Sequence, residues 1–525
     1  MKVKLLILFI ALWFGTLAQN STYSPYSRYG LGQLAPQVLA HNSGMGGACI
    51  GLKPDSTSPV FINTGNPASY ALIRFTTLEV GGRFFLSSYK SKTSGLNIWN
   101  TGFGYGTLGF PVRNNGGMCF GIMPYTFVGY QTSTSATEPV VGNVTYQYNG
   151  DGGLSKAFLG YGVMPFNKRL NKFRRRYLNP PDTAKHLSRL AYKVREFNCK
   201  WLSDLSIGVN ANYIFGNISN ATRVIYPNSL LYNNTYRERT LVMGDFTGNF
   251  GVQTAFTTDS VMDRKSRKKR IEEEVKKLKA QGHAVDSSAL SGLTPFAEDV
   301  IEFKADSIRK YTPLRKRALR GKIKLSAGFF MSLNNSMSAK YTAAAYNYIL
   351  NGQGEEIIRD TAYYLANQNG TITLPLEQGF GLGLKKGERW SFAADFAITA
   401  WSGYKYLNEI SSLKDNYRVA AGVNYVPEKY AFGKGSYFSR VNYRFGLNYN
   451  TGYINVNNTS LADYSISAGV GLPVGASRFN SSMINLSLQY GQMGFNSTNS
   501  IKENYFRINF GFTYCDKWFQ KFRYD

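Results

Sequence analysis

Phe506-Arg507-Ile508-Asn509-Phe510-Gly511-Phe512-Thr513-Tyr514-Cys515 alternates apolar and polar residues without a break. A two-residue period belongs to a strand whose two faces meet different media. The same pattern recurs upstream. Val441, Tyr443, Phe445, Leu447 and Tyr449 interleave with Asn442, Arg444, Gly446 and Asn448. Tyr417, Val419, Ala421, Val423 and Tyr425 interleave with Arg418, Ala420, Gly422 and Asn424. Trp390, Phe392, Ala394, Phe396 and Ile398 interleave with Ser391, Ala393, Asp395 and Ala397. A soluble sandwich would turn the apolar rows inward, whereas a transmembrane barrel turns them toward lipid. The polar rows here hold Gly, Asn, Ser and Thr rather than Lys and Glu, as a crowded lumen requires, and aromatic residues end the apolar rows. The sequence therefore predicts an all-β fold, an antiparallel transmembrane β-barrel.

The N-terminus agrees with export. Residues 1–18, MKVKLLILFIALWFGTLA, combine Lys2 and Lys4, an apolar run and small residues at Thr16 and Ala18, the layout of a secretory signal peptide. Beyond it no apolar run is long enough for a spanning helix. The 525 residues carry a net charge of +28. In an exported chain that charge does not point to nucleic acid. The expected location is the outer membrane of a Gram-negative bacterium.

About fourteen strands are expected, at 74–89, 98–112, 117–131, 153–165, 204–220, 241–257, 321–336, 371–386, 389–402, 415–427, 440–453, 462–474, 483–495 and 503–515, within a barrel over 73–515. An even number suits a bacterial single-chain barrel. Segments 132–152, 221–240 and 337–370 read as long extracellular loops. Two basic insertions fall on the periplasmic side. Residues 167–200, within an insert at 167–203, hold eleven basic against two acidic residues, net +9. Residues 259–322, around an insert at 258–320, hold 17 basic against 10 acidic residues, net +7. The second has helix-forming composition with Glu-to-Lys pairs such as Glu272 and Lys276. Arg174, Arg175, Arg176, Lys268, Lys269 and Arg270 are candidate docking residues for an acidic periplasmic partner. Residues 516–525 form a short periplasmic tail.

Residues 19–72 do not alternate. They carry Gly44-Met45-Gly46-Gly47-Ala48, then Asp55-Ser56-Thr57-Ser58, then Asn66-Pro67-Ala68. This reads as compact irregular chain, and a lumen fourteen strands wide is broad enough to need filling or to conduct. These three motifs ahead of the first strand resemble the FadL/TodX family of outer-membrane transporters. The resemblance implies a fourteen-stranded barrel, an N-terminal hatch and passage of hydrophobic small molecules. Ser24 to Gly30, Gly150-Asp151-Gly152-Gly153-Leu154 and Asp516-Lys517-Trp518-Phe519 resemble a divergent branch of it, some of whose members are subunits of secretion or assembly machines. The two basic inserts depart from the usual family pattern.

Pro124 interrupts the third strand, and a proline cannot donate to a ladder. The family resemblance implies a lateral exit at a kink of that strand, so Pro124 is the candidate for it, a simple rim bulge being the alternative. Glu79, Arg83, Asp395, Arg418, Arg444 and Arg507 should face the lumen, paired with one another or with hatch carboxylates such as Asp55, or free to bind a ligand carboxylate. The histidines, His41, His186 and His283, all lie outside the strands, and no cluster has metal-ligand spacing. No enzyme activity and no cofactor are expected. Cys49, Cys119, Cys199 and Cys515 leave three pairings open. Two functions remain: passage of a hydrophobic small molecule through a hatch and side exit, or a non-transporting barrel subunit of an envelope secretion or barrel-assembly machine.

Overall fold

The computed structural model describes residues 24–54, 61–90, 95–112, 115–139, 141–167, 198–199, 201–227, 232–257, 323–351, 353, 355–407, 409–410, 413–429, 437–456, 459–474, 482–494 and 501–516. Residues 1–18, most of both basic inserts and residues 517–525 lie outside this set, as do Asp55, Arg174, Arg175, Arg176, Lys268, Lys269 and Arg270.

The wall is a closed antiparallel barrel. Its strands are β1 (Thr76–Lys90), β2 (Gly95–Pro111), β3 (Gly116–Glu138), β4 (Gly142–Val163), β5 (Ser206–Ile225) and β6 (Asn234–Thr257). β7 runs as Ile323–Ser332 and then Ser336–Leu350, and β8 as Glu356–Thr373 and then Glu377–Lys386. β9 (Trp390–Thr399), β10 (Asn416–Tyr425), β11 (Asn442–Asn450), β12 (Asp463–Val474), β13 (Ser482–Met493) and β14 (Lys502–Asp516) complete it. Each strand pairs with its chain neighbour, and β14 pairs with β1 from Thr76↔Asp516 to Lys90↔Lys502. Closure removes the free edges that an open sheet would leave in lipid. All fourteen expected strands are present.

Side-chain direction follows the alternation. Phe510 and Phe445 are each 49% exposed on the outer face. Their neighbours Asn509, Thr513, Arg444 and Ser467 are buried inside. Two aromatic rows bracket the outer apolar band. Trp390, Tyr425 and Tyr443 align across β9, β10 and β11 near one rim. Tyr449 and Tyr464 align near the other. Ring dipoles and hydroxyls suit the two membrane interfaces.

The extracellular segments are where the sequence reading is corrected. The stretches expected as loops at 132–152, 221–240 and 337–370 are largely strand. β3 and β4 stay paired up to Glu138↔Gly142, and β5 and β6 up to Val224↔Thr235. The second half of β7 pairs with the first half of β8 as far as Leu350↔Glu356. Above the lipid both faces of a strand meet water or polar chain, so the apolar alternation disappears although Thr, Tyr and Ile still favour extended backbone. β9 to β11 end near the membrane, so one side of the barrel rises as a tall wall and the other does not.

Candidate functional site

The described part of the hatch, residues 24–54 and 61–73, runs from the outer mouth to the inner one. At the top, Ser24 caps a short turn, Pro25–Arg28, by accepting from the Tyr26 amide. Its own amide donates to Gly129 O of β3 at 3.1 Å, and the Gly129 amide donates to Ser27 Oγ at 3.1 Å. The Tyr26 hydroxyl donates to the Ile501 carbonyl across the mouth. Gly32 then turns with φ +98°, and a β-carbon there would collide with the Phe127 carbonyl. That turn lets Gln33 and Leu34 lie against β3 as a two-residue strand, Gln33↔Phe127 and Leu34↔Thr126.

Lower down, the hatch is fastened by buried carboxylates to its own backbone. Asp395 on β9, 3% exposed, accepts from the amides of Cys49 at 2.5 Å, Ile50 at 2.8 Å and Gly51 at 3.3 Å. Glu79 on β1 accepts from the Ile62 amide at 2.8 Å and lies 3.7 Å from His41 Nδ1. Arg83 donates to the Pro36 carbonyl at 2.6 Å, and Arg444 donates to Asn485 at 2.8 Å. The expectation of mutual ion pairs among these charges is therefore corrected. Among the described residues no arginine–carboxylate pair within 4 Å links Glu79, Arg83, Asp395, Arg418, Arg444 or Arg507. Aligned backbone amides replace the arginines as counter-groups, because the hatch presents several N–H groups to one point.

Asn66, Pro67 and Ala68 are buried at the inner end. Asn66 accepts from the Ala68 amide, capping the turn Pro67–Leu72, and its Nδ2 donates to the carbonyls of Ile50 at 3.1 Å and Phe329 at 3.2 Å. One side chain thus closes a turn and ties it to both hatch and wall. The Lys53 ammonium donates to the Asp204 carbonyl, and burial pushes its pKa down to about 8. Among the described residues Cys49, Cys119, Cys199 and Cys515 form no disulfide, and Cys49 is buried where loss of solvation, and after it the Asp395 charge, push its pKa well up.

Pro124 stands beside a seam. The β2–β3 ladder runs from Pro111↔Gly117 to Gly106↔Ile122 and stops. The β3–β4 ladder continues across Pro124, with a bulge between Pro124 and Thr126. Proline has no amide hydrogen to leave unpaired where β2 withdraws. The hatch takes β2's place. Ala35 N–H donates to Tyr125 O at 2.9 Å, and Gln37 Nε2 donates to Pro124 O at 3.0 Å. On the lumen side of this strap lies a cavity of about 350 Å³. Lys156, Glu377, Arg418 and Arg507 line it together with Tyr125 and Trp401. A pit of about 20 Å³, lined by Ile98, Asn100 and Phe127 among others, shares Gln33, Leu34, Pro36 and Arg507 with it. The strap is thus the partition between lumen and seam.

Sequence reasoning missed Lys156, Glu377, the Cys49–Gly51 amides and Gln253 of β6, whose Nε2 donates to the Ile50 carbonyl at 2.8 Å. Lys156 and Glu377 could have been flagged as charges within strand-forming runs. The amides leave no side-chain signal, and only the glycine density around them hints at close backbone contact.

A family model, described as BamG, matches residues 1–171 and 299–525. No curated protein matches the chain. Among solved structures the chain is similar to the Ralstonia pickettii toluene transporter TbuX, at 10% identity and a TM-score of 0.45, covering 93% of this chain and 100% of that one. It is similar to a Pseudomonas aeruginosa FadL homologue at the same identity, coverage and score. It is also similar to the CymD monoaromatic hydrocarbon channel, at 10% identity and a TM-score of 0.44, covering 93% and 99%. With its lipid-facing rows, aromatic girdles and hatch-threaded lumen, and with the family model spanning well over half its length, the chain belongs to the BamG family, as a β-barrel of the Gram-negative outer membrane.

Proposed function

We propose that this protein is a sealed, non-transporting barrel that serves as a subunit of an envelope secretion or barrel-assembly machine. The observation that carries the reading is the seating of the hatch. It threads the lumen with its backbone pressed on the wall and leaves beside it a cavity of about 350 Å³. A β-carbon at Gly446 would collide with the Gly46 amide, and one at Gly381 with the Gly51 amide. With the interior taken up this way, the surfaces left for function lie outside the lumen. They are the tall extracellular wall and the basic periplasmic inserts, with Arg174, Arg175, Arg176, Lys268, Lys269 and Arg270 as the proposed contacts to acidic partner surfaces. The test is co-purification from outer membranes dissolved in gentle detergent. The full chain should carry other envelope proteins in fixed stoichiometry, and deleting 259–322 should abolish that. A chain that purifies alone overturns the reading.

The seam and the cavity favour a second reading, passage of a hydrophobic small molecule past a displaced strap and out beside Pro124. Uptake of an apolar solute into liposomes holding the protein, lost when a disulfide ties the strap to β3, would support it. Unchanged uptake with the strap tied would remove it.

A further inference from the structure

Three charged side chains of the wall line the lumen cavity without meeting one another. They are Lys156 of β4, Glu377 at the start of the lower half of β8, and Arg418 of β10. The fields of Arg418 and Lys156 both reach Glu377. Yet among the described residues no ion pair within 4 Å joins them, and no side-chain hydrogen bond engages any of the three. The other two charges on this cavity are engaged. The Tyr505 hydroxyl donates to Asp463 at 2.8 Å, and the Arg507 guanidinium lies over the Tyr505 ring, 3.8 Å from its centre. Next to Glu377 the lining turns aromatic. Thr399, its ladder partner on β9, leads into Trp401, whose ring stacks on that of Tyr453 at 4.4 Å. Both rings line the cavity, as does Tyr125.

Charges held apart in a confined lumen cost free energy unless water or a ligand supplies the missing partners. A cavity of about 350 Å³ is large enough for a small organic molecule. The charge layout selects among guests. A wholly apolar guest would strip water from three charges and return nothing. A plain carboxylate suits the fork of Arg418 but meets a like charge at Glu377. A plain amine suits Glu377 but is repelled by Lys156 and Arg418. A compact molecule that carries both groups satisfies both, and an apolar side chain on it covers the aromatic end. Arg418 also reaches the hatch, since a β-carbon at Gly47 would stand 3.3 Å from its Nη1. A guest bound to Arg418 therefore sits where hatch and wall meet.

We propose that this cavity binds a small zwitterion, an α-amino acid with an apolar side chain. Its ammonium donates to Glu377, its carboxylate accepts from Arg418 in the joint field of Arg418 and Lys156, and its side chain packs on Trp401 and Tyr453. The guest is a resident that adds a tie between hatch and wall, as suits a sealed barrel. The site does not depend on what docks outside, and co-purification results leave it untouched.

Isothermal titration of the full-length protein in uncharged detergent at pH 7 tests it with three probes of one shape. L-phenylalanine carries both charged groups, 3-phenylpropionate lacks the ammonium, and 2-phenylethylamine lacks the carboxylate. L-phenylalanine should bind at least tenfold more tightly than either of the others. Three equal affinities, or no heat from L-phenylalanine, overturn the proposal, and this comparison needs no variant. Two variants then separate the contacts, each first shown to keep the fast-migrating folded gel form. Glu377→Gln should weaken L-phenylalanine at least fivefold and leave 3-phenylpropionate no weaker. Arg418→Met should weaken L-phenylalanine at least fivefold and leave 2-phenylethylamine no weaker. Variants that weaken all three probes alike would mean that these side chains shape the cavity without contacting the guest, and would overturn the assignment.

Discussion

Asp395 concentrates more of the hatch's attachment than any other side chain described. Three backbone amides converge on its carboxylate. Replacing it with alanine leaves those amides buried without acceptors, at a cost of about 2–4 kcal/mol for the seated hatch. Cys49 reports the consequence, since its thiol is 2% exposed and its pKa is pushed well up in place. In wild-type membranes at pH 8, maleimide should leave Cys49 unmodified over hours. Asp395→Ala should raise its labelling at least tenfold, read by mass spectrometry of the tryptic peptide, while buried Cys119 stays protected. Gly446 makes a second residue-scale test. Its place against the Gly46 amide has no room for a side chain, so Gly446→Val should cost about 1–3 kcal/mol through overpacking. The check is the temperature at which the folded, fast-migrating gel form converts to the slow one. That temperature should fall for Gly446→Val and hold for Leu447→Val, which faces lipid.

Among the elements, the strap of residues 24–37 stands in for a stretch of β2 by bonding to β3 where the ladder has parted, with Gln33 and Leu34 forming the ladder itself. Deleting 24–34 removes that pairing and leaves the Asp395 attachment in place. Amides from Thr126 to Tyr130 should then exchange at least tenfold faster, with β13 unchanged. Equal protection with and without the strap would mean that β3 is held by something else. The elements also mark what the sequence could and could not say. Wherever lipid lies on one face and lumen on the other, as at Tyr443 to Tyr449 or Phe506 to Tyr514, alternation gave the strands to within a few residues. Above the membrane, as at Thr132 to Glu138 or Glu356 to Leu365, the two faces meet similar surroundings. Nothing in the pattern then separates strand from loop. The inward direction of Glu79, Arg83, Asp395 and Arg444 followed from the same alternation. Their partners did not, because those partners are mostly backbone groups of a segment with no period.

At the scale of the whole molecule, the barrel is threaded by its hatch inside and lopsided outside. Strands β3 to β8 rise well past the level at which β9 to β11 end. The inserts at 167–203 and 258–320 gather more than half of the net +28 charge. A conduit needs neither feature, whereas a subunit that must hold neighbours gains from both. The most direct measurement is native mass spectrometry of the chain released from its own outer membrane in gentle detergent. A sealed docking subunit should appear at the mass of the mature chain plus one or more whole envelope proteins, and the 259–322 deletion should shed them. A single species at the mass of the chain alone, unchanged by the deletion, would contradict the account.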